Sequence, residues 1–246
     1  MTTDDGVFDD RVASTYDESS DRMYQPAIVG PTVDFLADLA GDGHALELGV
    51  GTGRIAIPLA ARGVRVHGID LSKAMTDRLR AKPGGDGIGI TIGDFANVKV
   101  GGTFRLAYLV FNTIMNVTSQ AGQVATFRNV ASHLEVGGTF VIETMIPELR
   151  RLPYGERFVI FDASETHWGA DEYDVANQGL ISHHFEGRGD TFEKSSGPFR
   201  YVWPAELDLM AELAGMRLRE RWSGWGREAF TSDSRQHVSV WEKPAS

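Results

Sequence analysis

Residues 44–60 read His-Ala-Leu-Glu-Leu-Gly-Val-Gly-Thr-Gly-Arg-Ile-Ala-Ile-Pro-Leu-Ala. Ala45, Leu46 and Leu48 make a short buried strand, Gly49, Gly51 and Gly53 a tight turn, and a helix follows at once. Glycines at alternating positions let the backbone turn sharply and let a ligand lie directly against it. The helix start then offers N–H groups that no turn of its own satisfies. A dinucleotide site would want its last glycine where Arg54 stands, and its pyrophosphate would be repelled by Glu47. An acid just before the first glycine suits a cation instead.

The next strand, Val64 to Asp70, ends on an acid about 20 residues beyond the glycines, where a carboxylate can accept both hydroxyls of a ribose. Leu71-Ser72-Lys73-Ala74-Met75 then opens a helix with Ser72 as its N-cap. A third strand, Ile88 to Ile92, ends in Gly93-Asp94-Phe95. A fourth, Arg105 to Asn112, is nearly all apolar, as a parallel strand covered on both faces must be. Gln120 to Leu134 has helical spacing through Val124, Phe127, Val130 and Leu134, and leads into Gly137-Gly138 and a fifth strand ending near Glu143. Strand–helix alternation with short links predicts a doubly wound α/β sheet, with ligands at the carboxyl ends of the strands.

Glu-x-Gly-x-Gly-x-Gly at 47–53, together with Asp-Leu-Ser-x-x-Met at 70–75, resembles the class I S-adenosylmethionine-dependent methyltransferases, of the bacterial small-molecule type. The resemblance covers residues 44–144. Leu134-Glu-Val-Gly-Gly is similar to the family's Leu-x-Pro-Gly-Gly strand entry, with Val136 in place of the proline. It implies a Rossmann-like seven-stranded sheet whose last strand is antiparallel, and S-adenosylmethionine as cofactor with S-adenosylhomocysteine as product. On that resemblance Glu47 faces the cofactor's ammonium and Asp70 its ribose, with Gly49, Gly51, Gly53, Arg54, Leu71 and Met75 as further cofactor-binding residues. Gly93, Asp94 and Phe95 make the adenine pocket, and Phe111 and Asn112 stand beside the departing methyl, with Asn112 the catalytic candidate. Tyr16, in a Tyr-Asp pair like that of many members, is expected over the cofactor; an ordinary packing aromatic is the alternative.

The chain has 246 residues, 42% of them hydrophobic, enough for one substantial core. With no cysteine, disulfides, thiol nucleophiles and Cys-based zinc sites are excluded. A net charge of −10 argues against a nucleic-acid substrate. The acidic N-terminus is unlike a secretory signal, and the most apolar run, Leu106 to Val117, is too short to span a bilayer. A small-molecule acceptor, a cytoplasmic location, no membrane partner and a monomer or homodimer follow as expectations.

The N-terminal region contains an amphipathic helix over Ile28 to Leu39, started around Pro31. Residues 145–203 change character: β-formers at 157–163, 173–176, 180–186 and 199–203 stand between Gly, Asp and Asn breakers. They read as an antiparallel cap inserted into a core of residues 1–144 and 204–246. In Leu180-Ile-Ser-His-His-Phe-Glu186, alternation sets Ile181, His183 and Phe185 on one face. If that apolar face looks inward, His183 is carried toward the acceptor as a candidate general base. The carboxylates and His167 between Glu165 and Glu172 fit no metal signature, and no metal is expected. Trp222 to Arg227 reads either as an aromatic cage for a cation or as a packed strand end.

The activity that follows is in-line methyl transfer to an oxygen or nitrogen of a small metabolite, with catalysis mostly by positioning. Two rivals remain open at this level: a S-adenosylmethionine-binding sensor without turnover, and a nicotinamide-dependent oxidoreductase.

Overall fold

A computed structural model of the chain describes residues 13, 14, 16, 17, 21–188 and 191–245. Its central sheet is built on β1 (His44–Leu48), which lies between β4 (Phe104–Leu109) and β2 (Arg65–Asp70), both parallel to it. β3 (Gly89–Ile92) closes one side, and β5 (Leu134–Met145) flanks β4. Beyond β5 come β11 (Gln236–Glu242) and then β10 (Arg217–Trp222), and β11 runs antiparallel to both neighbours. The order is β10-β11-β5-β4-β1-β2-β3, so the chain starts in the middle and winds outward in both directions. The seven strands and the antiparallel last one are as the sequence predicts.

Helices cover both faces, which is why the central strands are apolar throughout rather than alternating. On one face, α1 (Pro26–Ala40) and α2 (Ala56–Ala61) bury Val29, Val33, Leu36 and Leu59 against Ala45, Leu106 and Tyr108. α3 (Lys73–Ala81) adds Leu79 to this layer. On the other face, α4 (Gln120–His133) and α5 (Pro204–Leu213) bury Phe127, Val130, Leu207 and Met210 against Phe140, Ile142 and Trp241.

Two helix starts differ from the sequence reading. α1 starts at Pro26, not around Pro31, and carries Pro31 inside it. Pro26 takes the first helical position, where its missing N–H costs nothing. α2 starts only at Ala56, because Gly53 and Arg54 remain in the turn.

Between β5 and α5 lies a second sheet of β6 (Phe158–Ala163), β7 (His167–Asp174), β8 (Gly179–Arg188) and β9 (Thr191–Arg200), all antiparallel. β7 and β9 begin well ahead of the segments 173–176 and 199–203, in stretches whose glycine and charge hide the strand pattern. Val159, Tyr173 and Leu180 pin this sheet to the core cluster that contains Phe127 and Trp241. Arg200, buried at the exit of β9, donates to Gln123 of α4 and pairs with Glu206 of α5 at 2.8 Å.

The faces of β8 are the reverse of the sequence expectation. Leu180 is 3% exposed and Ile181 41%, so Leu180, Ser182 and His184 look toward the core while Ile181, His183 and Phe185 look away. The inward polar groups are satisfied among themselves: His184 Nδ1 meets His167 Nε2 at 3.0 Å, and Ser182 bonds Asp171. Phe158, Ile160 and Trp168 leave large apolar surface on the outward face. Apolarity therefore did not mark the inside.

Candidate active site

The site is built around the carboxyl ends of β1 to β5. After β1 the chain turns through Gly49 and Gly51, at φ 73° and 53°, in the left-handed region that side chains avoid. A Cβ at Gly49 would come within 2.8 Å of Thr113 Cγ2, so the turn is closed to any larger residue. Asp70, at the end of β2, fixes the turn from the side. Its Oδ2 accepts from Gly51 N at 2.7 Å, and its Oδ1 from Ser72 N at 2.8 Å. Ser72 in turn caps α3 by accepting from Met75 N. Tyr16, Gly49, Gly51, Asp70, Leu71, Met75 and Phe95 surround a cavity of ≈ 310 Å³, which Pro198 and Phe199 of the second sheet cover from above.

A second cavity of ≈ 290 Å³ lies between α1 and the ends of β4 and β5. Met23, Ile28 and Val29 give it an apolar wall and Trp225 and Phe111 an aromatic one, while Arg54, Asn112, Glu143, Arg235 and Gln236 make the rest of the lining polar. Glu143 is held by two donors: Phe111 N reaches Oε2 at 2.9 Å and Trp225 Nε1 reaches Oε1 at 2.8 Å. The Arg54 guanidinium stacks on the Phe111 ring at 4.5 Å.

The partition between the cavities is the segment 111–113. Phe111 and Asn112 line the second cavity and Thr113 the first. Phe111 and Asn112 are both left-handed, at φ 57° and 59°. Each such residue costs roughly 1–2 kcal/mol, and two in a row persist only where the surroundings over-determine them. Here Glu143 supplies that support through its carboxylate on Phe111 N and its carbonyl on Asn112 N, and Met145 N donates to Asn112 Oδ1 at 2.7 Å. Asn112 is thus spent on the end of β5, though its side chain still borders the cavity.

Against known proteins, the family model described as "Methyltransferase domain" matches residues 45–138. The solved CcbJ methyltransferase from Streptomyces caelestis is 37% identical, over 98% of this chain and 100% of that one, with a TM-score of 0.86. The chain belongs to the class I S-adenosylmethionine-dependent methyltransferases. The cypemycin N-terminal methyltransferase of a Streptomyces species is 26% identical over 98% of this chain and 99% of that relative. CalS10, an amino pentose methyltransferase from Micromonospora echinaspora solved with S-adenosylmethionine, shares the fold at a TM-score of 0.67 and 19% identity, over 92% of this chain and 95% of that one. The nicotinamide reading is closed, and a methyltransferase of this class transfers the S-adenosylmethionine methyl group.

The first cavity suits that methyltransferase cofactor. Its floor is bare glycine backbone, its side carries the Asp70 carboxylate, and its rim has the aromatic Phe95 and the thioether Met75. A Cβ at Gly51 would project to 3.6 Å from Met75 Cε, into the space the cavity needs.

Of the residues the sequence singled out for the cofactor, Tyr16, Gly49, Gly51, Asp70, Leu71, Met75 and Phe95 come together around the first cavity, and Arg54, Phe111 and Asn112 around the second. Gly53 lies outside both and packs under Leu79 and Ile57. Gly93 and Asp94 also stand off; the Asp94 carboxylate turns back to Ala96 N and Asn97 Nδ2. Glu47 is buried behind the turn, where it accepts from Tyr108 Oη at 2.8 Å and from Ala56 N, and burial pushes its carboxyl up to about 8. It braces the turn from below rather than lining a cavity.

The expected inward placement of His183 is corrected: on the face of β8 opposite Leu180, its Nδ1 meets Ser196 Oγ at 2.8 Å and its Nε2 meets Glu172 Oε2 at 3.3 Å, and it lines neither cavity. Glu143 is the site residue that sequence reasoning did not assign, whereas Trp225 stood in the segment read either as an aromatic cage or as a packed strand end. Glu143 had one usable signal, its place at the carboxyl end of a parallel strand.

Proposed function

We propose that this methyltransferase acts on an amine nitrogen of a small or peptide-derived natural product. The observation that carries the reading is the Glu143 carboxylate, held by Phe111 N and Trp225 Nε1 beside the strained partition, in a cavity whose other walls are apolar at Met23, Ile28, Val29 and Trp225 and polar at Arg54, Asn112, Arg235 and Gln236. An alkylammonium with an apolar body matches such a cavity: the carboxylate accepts its N–H, and Trp225, Met23, Ile28 and Val29 take the hydrocarbon. The relatives agree in kind, since the cypemycin enzyme is named for N-terminal methylation and CalS10 for an amino pentose.

Bound S-adenosylmethionine supplies an electrophilic methyl group on its sulfonium. The protein's part is placement. Asp70 and the glycine turn hold the cofactor from the β2 side, with Glu47 stiffening the turn and Tyr16 and Phe95 walling the cavity. Glu143 orients the acceptor nitrogen and Asn112 keeps the partition narrow. A neutral amine is nucleophilic without a general base, so loss of one ammonium proton to water is all the acid–base chemistry required. The second sheet, within residues 145–203, acts as the cap on the core of residues 1–144 and 204–246, through Pro198 and Phe199. No helix among the described residues is long and apolar enough to cross a membrane; a cytoplasmic enzyme, monomeric or dimeric, is the setting we infer.

The test is a turnover screen by mass spectrometry with paired acceptors that differ only in carrying an amine or a hydroxyl. Mass gain on the amine member supports the proposal. Methylation of the hydroxyl member alone would replace it with an O-methyltransferase reading, and no turnover on any acceptor while S-adenosylhomocysteine binds would favour a sensor.

A further inference from the structure

Asp17 and Lys82 line neither cavity just described as holding cofactor and acceptor, yet they form a polar cluster on the cofactor turn itself. The Asp17 carboxylate collects three donors from three parts of the chain. Tyr24 Oη donates to Oδ1 at 2.5 Å, Thr52 Oγ1 to Oδ1 at 2.7 Å, and Lys82 Nζ pairs with Oδ2 at 2.5 Å. Lys82 Nζ also donates to the Thr52 carbonyl at 2.9 Å and sits over the Tyr24 ring at 5.0 Å. Thr52 is buried between the cofactor-turn glycines Gly51 and Gly53, and Lys82 follows the last residue of α3. Tyr16, the neighbour of Asp17, is a wall of the cofactor cavity.

The connectivity has a physical consequence. Of Ala13, Ser14, Tyr16, Asp17, Met23 and Tyr24, Ala13 alone is buried. The Asp17 carboxylate joins its neighbour Tyr16 to Tyr24, Thr52 and Lys82 through polar bonds. A carboxylate that is only partly exposed, with a lysine and two hydroxyls on it, is worth more than a surface ion pair, because each bond to the charge is strengthened where water is thinned. Losing the lysine frees one of three tethers and leaves the charge underpaid in hydrogen bonds.

We infer that Asp17 and Lys82 form a latch that holds Tyr16, the neighbour of Asp17, against the cofactor cavity, so that these two side chains set cofactor retention without touching cofactor or acceptor. The inference rests on the assignment of the first cavity to the cofactor. Both are positioning residues, and a latch acts on the affinity and release of the cofactor while leaving the saturated reaction alone.

The experiment compares full-length wild type, Lys82→Met, Asp17→Asn, Lys82→Arg and Asp70→Ala. It measures KM for S-adenosylmethionine, kcat at saturation, and the dissociation rate of S-adenosylhomocysteine by stopped flow, with melting temperatures as the folding control. Lys82→Met and Asp17→Asn should each raise KM and the dissociation rate about tenfold, the size of one lost charge-assisted hydrogen bond. Their kcat should stay within about twofold, as it must if only positioning before saturation is lost. Lys82→Arg, which keeps the charge and the reach, should recover most of the affinity. If KM and dissociation stay at wild-type values in both latch variants while Asp70→Ala weakens binding, the latch is wrong and the cofactor cavity stands. Unchanged binding in Asp70→Ala as well would overturn the cavity assignment itself. A fall in kcat and melting temperature with KM unmoved would mark the cluster as structural and also overturn the latch.

Discussion

Replacing Glu143 with glutamine separates the acceptor reading from every other role of the site. In the structure both carboxylate oxygens accept, one from Phe111 N and one from Trp225 Nε1. Glutamine keeps one acceptor oxygen and turns an N–H group toward the other donor. It also removes the charge that would meet an ammonium. A hydrogen bond to a charged group is worth roughly 1.5–3 kcal/mol, or about 10- to 150-fold in affinity. The unsatisfied donor adds to the loss by loosening the left-handed pair at 111 and 112. For Glu143→Gln we therefore expect KM for the amine acceptor to rise by about 10- to 100-fold, with kcat falling less. The affinity for S-adenosylhomocysteine, measured by calorimetry, should change by no more than about twofold, because Glu143 borders the other cavity. Initial rates over an acceptor series at saturating S-adenosylmethionine give both constants. An unchanged acceptor KM would refute the reasoning, as would a loss of cofactor affinity equal to the loss of acceptor affinity.

Asp70→Ala removes the acceptor for two backbone N–H groups as well as the group facing the cofactor cavity; we expect it to cost roughly 2–3 kcal/mol of S-adenosylhomocysteine binding by calorimetry, and wild-type affinity would place the ribose elsewhere. Glu47 makes a pH prediction. With its folded carboxyl at about 8, against an ordinary 4.5, the folded state keeps a proton that the unfolded chain has lost. The stability from that proton is complete below 4.5 and is lost as pH rises through 8. Urea unfolding of wild type and Glu47→Gln should therefore diverge to the disadvantage of wild type as pH rises from 5 to 8, by up to about 4–5 kcal/mol; parallel pH curves would count against a buried neutral Glu47. His183→Gln should leave turnover within about twofold in the same assay, since His183 lines neither cavity and both its ring nitrogens are engaged by Ser196 and Glu172; a fall of about a hundredfold with cofactor binding intact would restore it as a base.

The sheet was legible because parallel strands buried on both faces leave unbroken apolar runs, as in Leu106 to Val110, and because glycines and acids fell at successive strand ends. What sequence could not supply was direction. Nothing local in Leu180 to Glu186 says which face of the strand meets the core; the inward set is the polar one because His167 and Asp171, on the neighbouring strand, satisfy it. Glu47 shows the same limit in the turn motif. Its place before Gly49 was readable, while its burial against Tyr108, brought alongside by the pairing of β1 with β4, was not. The role of Glu143 depends on Trp225, which is far along the chain and returns only through β11 and the loop before it.

The most direct measurement is a crystal structure of the enzyme with S-adenosylhomocysteine and an amine acceptor found in the turnover screen. The account predicts the homocysteine ligand in the cavity lined by Gly49, Gly51, Asp70 and Phe95, its sulfur toward the partition at 111–113. The acceptor nitrogen should lie across that partition, within hydrogen-bond reach of a Glu143 carboxylate oxygen. An acceptor whose nitrogen sits away from Glu143, or a cofactor bound outside the first cavity, would contradict it.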